Sequence, residues 1–117
     1  MLGGSKNMLT IPGNARLFIF HAPVNMRKSF EGLSSIVEKL FPEELLSGAL
    51  FIFLNRKKDH MKVLCWDKDG LVIWFKRLEK GTFAWKWGSD STIDRRTFLM
   101  LLEGVTPKKL QARYTIT

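Results

Sequence analysis

Few residues in this chain have the types and spacing that chemistry requires. Asp67 and Asp69 form a close acidic pair in Asp67-Lys-Asp-Gly70, an arrangement that elsewhere holds a divalent ion or shares acid and base work. The spacing fits a turn better, because Asp carboxylates accept hydrogen bonds from nearby backbone N–H groups. Cys65 and His60 resemble a nucleophile and base, yet Cys65 stands between Leu64 and Trp66 on an apolar run, where a buried thiol has a raised pKa and is inert. His21 and His60 lie in different segments, and neither belongs to a ligand pair of helical or knuckle spacing. Gly3-Gly4 precede no strand-to-helix transition, and Gly32 sits within a helical pattern, where it is expected to mark close packing against a sheet. No catalytic residue, metal site or cofactor is therefore expected, and the chain reads as a non-enzyme.

The basic residues are more suggestive. Among 117 residues, 19 Lys and Arg face 11 Asp and Glu, a formal charge of +8 that favours polyanionic partners such as nucleic acid. Arg56-Lys57-Lys58 occupies an expected hairpin tip, Lys80 a turn, and Arg95-Arg96 a last helix. Lys62, Lys76 and Lys86 alternate with Trp66 and Trp74 along strand-like runs, a combination suited to phosphate contact plus base stacking. The competing reading is that the Lys stems cover aromatics belonging to a second small core.

The elements that position these residues follow from periodicity. Ala15 to His21, after Pro12-Gly13-Asn14, reads as a first strand. Asn25 is placed to cap a helix whose apolar positions Met26, Phe30, Leu33, Ile36, Val37 and Leu40 recur at spacings of three and four, and Phe41-Pro42 stops it. Four strand-like runs follow, at Ala49 to Leu54, Met61 to Trp66, Leu71 to Leu78 and Thr82 to Trp87. Their short connections imply an antiparallel meander. The turns Asp67-Lys-Asp-Gly70 and Leu78-Glu-Lys-Gly81 share a design in which Gly supplies positive φ for a bulge, which pairs Asp67 with Leu71 and Leu78 with Thr82.

That register places Met61, Val63, Cys65, Leu71, Ile73, Phe75, Phe83, Trp85 and Trp87 on a core face. The opposite face then collects Lys62, Leu64, Trp66, Val72, Trp74, Lys76, Leu78, Ala84 and Lys86, mixing bases with aromatics. Thr92 is placed to cap a last helix with Asp94 in its first turn, apolar positions at Phe98, Leu99, Leu101 and Leu102, and Gly104 at its end. The fold class is thus α+β, a five-stranded antiparallel sheet in β-α-β-β-β-β-α order with a helix packed on one face and a C-terminal helix.

The expected organisation is a flexible leader over 1–14, a single α+β domain over 15–104 and a basic tail over 105–117. One cysteine excludes an intramolecular disulfide framework, and no run of about 18 apolar residues is present. A cytoplasmic protein without membrane contact is expected.

Four blocks carry a family resemblance: Met26-Arg-Lys-Ser-Phe-Glu-Gly-Leu33, Lys62-Val-Leu-Cys-Trp-Asp-Lys-Asp-Gly-Leu71, Phe75-Lys-Arg-Leu-Glu-Lys-Gly-Thr-Phe83 and Leu101-Leu-Glu-Gly104. From about Leu17 to Gly104 the chain resembles the accessory Orf2 protein of the bacterial insertion sequence sixty-six family. Two departures are an Asn25 where an acid is usual and Lys86-Trp87 where a proline is usual after Trp85. The resemblance implies an accessory protein of a transposable element that assists DNA transposition beside a separate transposase. Arg27, Lys28, Lys76 and Arg77 fall within the family-like blocks, which makes them the first candidates for phosphate or partner contact. Arg27 and Lys28 are expected in a first helical turn, where N–H donors also favour an anion. With Lys62, Trp66, Trp74 and Lys86 they complete the expected nucleic-acid-binding set. Docking on the transposase without DNA contact is the alternative.

Overall fold

The computed structural model describes residues 9, 11–88 and 92–103. In chain order the elements are β1 (Leu17–Ile19), α1 (Phe30–Leu40), β2 (Leu50–Leu54), β3 (His60–Asp67), β4 (Gly70–Arg77) and α2 (Arg95–Leu102). The class is α+β, but the sheet has four strands in the order β1-β2-β3-β4 and is mixed, where five antiparallel strands were expected. β1 runs parallel to β2 because α1 lies between them and carries the chain back to the end of the sheet where β1 began. The ladder extends past β1 through Leu50 N to Arg16 O and Phe20 N to Ile52 O, both 2.9 Å.

The fifth run, Thr82 to Trp87, forms no strand of this sheet. Phe83 N donates to Lys58 O at 2.7 Å, tying the run to the β2–β3 loop, and Trp85 N bonds back to Phe83 O. So anchored, the segment crosses the sheet face, and Phe83, Trp85 and Trp87 pack on it.

The β3–β4 turn corrects the expected register by one residue. Asp67 pairs with Gly70, Val63 with Trp74 and Lys62 with Phe75. The positive φ falls on Lys68 at 59°, while Gly70 is absent from the positive-φ positions, so Lys68-Asp69 closes a two-residue hairpin of the kind that matches strand twist. Every side chain of β4 thereby changes face relative to the expectation.

Both faces of the sheet are buried as a result. One face carries Leu17, Ile19, Leu50, Ile52, Leu54, Met61 and Val63, covered by Phe83 and by Phe98 and Leu101 of α2. Phe18, Phe51, Phe53 and Leu64 form the other, under Val24 and Leu33 and Val37 of α1. β2 is buried along its whole length, as its unbroken run of Leu, Phe and Ile requires. Each fully buried side chain of this size contributes about 1.5–3 kcal/mol.

Both helices begin later than their patterns suggest. α1 starts after Ser29, while Asn25 makes a turn instead of a cap, its Oδ1 accepting from Arg27 N at 2.8 Å and its carbonyl from Lys28 N at 3.0 Å. Asp94, and not Thr92, caps α2 by accepting from Thr97 N at 2.7 Å. Gly32 does not press on the sheet, since a Cβ built there meets Lys28 side-chain carbons at 3.1 Å. Leu9 and Ile11, within the expected leader, pack against the α2-side core. Residues 1–8 and 10 of that leader, the Gly104 helix end and the tail over 105–117 lie outside the described residues.

Candidate nucleic-acid interface

The corrected register dissolves the expected basic and aromatic sheet face. By strand alternation Lys62 and Trp66 point to the α1 side, together with Leu64, Leu71 and Ile73. Trp74 and Lys76 point to the α2 side, where Trp74 packs against the core. Lys86 is exposed on the crossing segment. No single surface of the sheet therefore presents Lys62, Trp66, Trp74, Lys76 and Lys86 together.

Several of these bases are already engaged. Lys62 Nζ donates to Met26 O and Lys28 O, both at 2.8 Å, and lies 5.5 Å from the Phe75 ring centroid. Lys76 Nζ donates to Leu102 O at the carbonyl end of α2, where a cation also favours the helix dipole. Lys58 Nζ donates to Trp85 O and sits 5.0 Å from the Trp87 ring. Arg77 is paired with Glu79 at 3.1 Å across an exposed surface.

A different arrangement emerges at the end of the sheet where β1 and β2 finish. Parallel strands deliver their following loops to the same end of the sheet. The β1–α1 loop, which contains Asn25 to Ser29, meets the β2–β3 loop, Asn55 to Asp59, across an open cleft of about 520 Å³. Val24 N bonds Leu54 O at 2.9 Å and holds the two loops side by side. Asn25, Met26, Arg56, Lys57 and His60 are among the lining residues, and Arg27 and Lys28 follow directly after Met26. All four cations, Arg27, Lys28, Arg56 and Lys57, are exposed. Arg27 and Lys28 precede α1 instead of forming its first turn, so no helix N-terminus assists them.

The β2–β3 loop is built around Asn55. Its Oδ1 accepts from Asp59 N and His60 N, each at 3.0 Å, while its Nδ2 donates to Asp59 Oδ1 at 2.7 Å. His60 Nδ1 lies 2.7 Å from the same Asp59 oxygen, and the His60 ring stacks on Phe75. The Asn55 amide first, and His60 second, hold the Asp59 carboxyl below its ordinary pKa. Asp59, the one acidic lining residue, is thus occupied inside the loop, and the outward charge of the cleft is set by Arg56 and Lys57.

This site was only partly legible beforehand. The Arg56-Lys57-Lys58 run marks a hairpin tip, but the placing of that loop beside the β1–α1 loop follows from β1 and β2 being parallel neighbours. That pairing is signalled by the strand-helix-strand order itself. Burial pushes the Cys65 thiol above its ordinary pKa, and the nearby Asp67 carboxylate adds to the shift. Among the described residues no group of three or more His, Cys, Asp or Glu is placed to hold a metal ion. No helix among them is long and apolar enough to cross a membrane.

The family described as IS66 Orf2 like protein matches residues 15–112, which spans both loops and the whole sheet. The chain belongs to this family. It is 33% identical over 78 residues to the uncharacterized protein y4hO of Sinorhizobium fredii (strain NBRC 101917 / NGR234), covering 67% of this chain and 68% of that protein. A second relative from the same strain, the uncharacterized protein y4jC, is 24% identical over 107 residues, 90% of this chain and 86% of that one. No solved structure matches the chain. Membership associates the IS66 Orf2-like chain with transposition as an accessory protein.

Proposed function

We propose that this accessory protein assists transposition by binding DNA phosphates with the two loops at the carboxyl ends of β1 and β2, without catalysing a reaction itself. The observation that carries this reading is that exposed Arg56 and Lys57 line an open cleft, while exposed Arg27 and Lys28 directly follow Met26 on its opposite loop. Lys62 acts behind them as a positioning residue, since it grips the carbonyls that flank Arg27. Phosphate contacts of this kind supply affinity without reading sequence, which suits a helper whose specificity is provided elsewhere. Docking on a transposase through the tryptophans has less support, because Trp66 and Trp74 sit on opposite faces and both are half-buried.

The test is a titration of duplex DNA across a salt series, comparing the wild-type chain with Arg56→Ala/Lys57→Ala. The log–log salt slope is expected to become shallower by about 2 in the double variant, with weaker binding at every salt concentration. Absence of binding at low salt, or an unchanged slope in the variant, overturns the reading.

A further inference from the structure

The two edges of the sheet are protected unequally. β1 is three residues long, and its Phe18 is bridged by Thr92. β4 is eight residues long, contains no proline, and pairs with β3 alone among the described residues. Its two-residue hairpin makes Asp67 and Gly70 the closing hydrogen-bonded pair, so Val72, Trp74 and Lys76 aim their backbone groups at β3. Leu78 N, donating to Asp59 O at 2.8 Å, keeps the same phase. The backbone groups of Leu71, Ile73, Phe75 and Arg77 consequently face outward. Val72 and Phe75 on this strand are 43% and 51% exposed. A long edge that no described strand covers, carrying exposed apolar side chains, is a template for another strand.

We propose that the occupant of this edge is the β4 strand of a second copy of the chain, paired antiparallel about a two-fold axis at Ile73. Charge complementarity selects this partner. β4 has Asp67 and Asp69 beside its first residue and Lys76 and Arg77 at its last. Antiparallel pairing with Ile73 opposite Ile73 sets Arg77, which also pairs with Glu79 of its own chain, against Asp69 of the second copy, twice by symmetry, and Lys76 against Gly70. Phe75 then lies opposite Leu71 on the α1 side, and Val72 opposite Trp74 on the α2 side. Each exposed apolar residue gains an apolar neighbour. Parallel pairing would instead stack like-charged ends, and the two acids make this edge a poor seat for DNA. An isologous contact of this form closes on itself as a dimer.

The inference is independent of the DNA reading and is tested without nucleic acid, by sedimentation velocity of the full chain over a concentration series. A reversible dimer is expected, with Asp69→Arg and Arg77→Asp each weakening association about tenfold and the combined swap restoring it. Hydrogen exchange provides a second readout on the unmodified chain, in which the Ile73 and Phe75 amides become slower as concentration rises. A chain that stays monomeric at about 1 mM, reversals without effect, a swap that fails to restore association, or amide exchange independent of concentration overturns it.

Discussion

Lys62 on β3 donates 2.8 Å hydrogen bonds to the carbonyl oxygens of Met26 and Lys28, linking the sheet to the loop that precedes α1. In a helix beginning at Met26 those carbonyls would accept from the amides of residues 30 and 32. The ammonium takes them instead, and α1 begins one turn late, at Phe30. The same two bonds hold Arg27 between fixed neighbours, so a core-side lysine determines where the exposed cations stand.

Replacing Lys62 with Met keeps an aliphatic stem over Phe75 and removes the ammonium. Stability is expected to fall by about 1–2 kcal/mol, near the low end for hydrogen bonds made by a charged donor because the site is partly wet. DNA binding should weaken several-fold while its salt slope stays nearly unchanged, since Lys62 positions the loop and is not counted among the phosphate contacts. Urea denaturation and the salt titration together check both statements.

The β3–β4 turn gives a second expectation. Lys68 holds a φ of 59°, a conformation that costs a residue with a Cβ about 1 kcal/mol or more. Lys68→Gly should therefore stabilise the chain by up to about 1 kcal/mol, read by chemical denaturation. Gly70→Ala should be tolerated within about 0.5 kcal/mol, because a Cβ there meets nothing within 4 Å and the φ is not positive. A bulge at Gly70 would reverse this order, making Gly70→Ala the costly change.

That turn also marks where the sequence pattern and the fold part. The existence of β2, β3, β4 and both helices is written in apolar periodicity, and Met61, Val63, Phe83, Trp85 and Trp87 share a core as their alternation indicates. A Gly at the fourth turn position is equally compatible with a bulge or with a two-residue hairpin, and the choice flips every β4 side chain. Leu71, Ile73 and Phe75 thus moved to the α1 side, and the apparent basic and aromatic face disappeared. The parallel pairing of β1 and β2 was signalled by the intervening helix but masked by the antiparallel pattern that follows it. The Lys62 contacts leave no local trace, because their partners lie 36 and 34 residues away.

Asp59 makes the β2–β3 loop sensitive to acid. Its carboxyl is held below the ordinary value, chiefly by the Asn55 amide and then by His60, so its contribution to stability is fully present above about pH 4. The contribution is lost as pH falls through the depressed folded-state value, where protonation removes the negative charge on the oxygen that Asn55 and His60 contact. Asp59→Asn keeps an acceptor oxygen but not its charge, so its thermal midpoint should lie closer to that of wild type at pH 3 than at pH 6. Thermal melts at the two pH values check this. A difference from wild type that is equal at both would show that the Asp59 charge does not stabilise the loop.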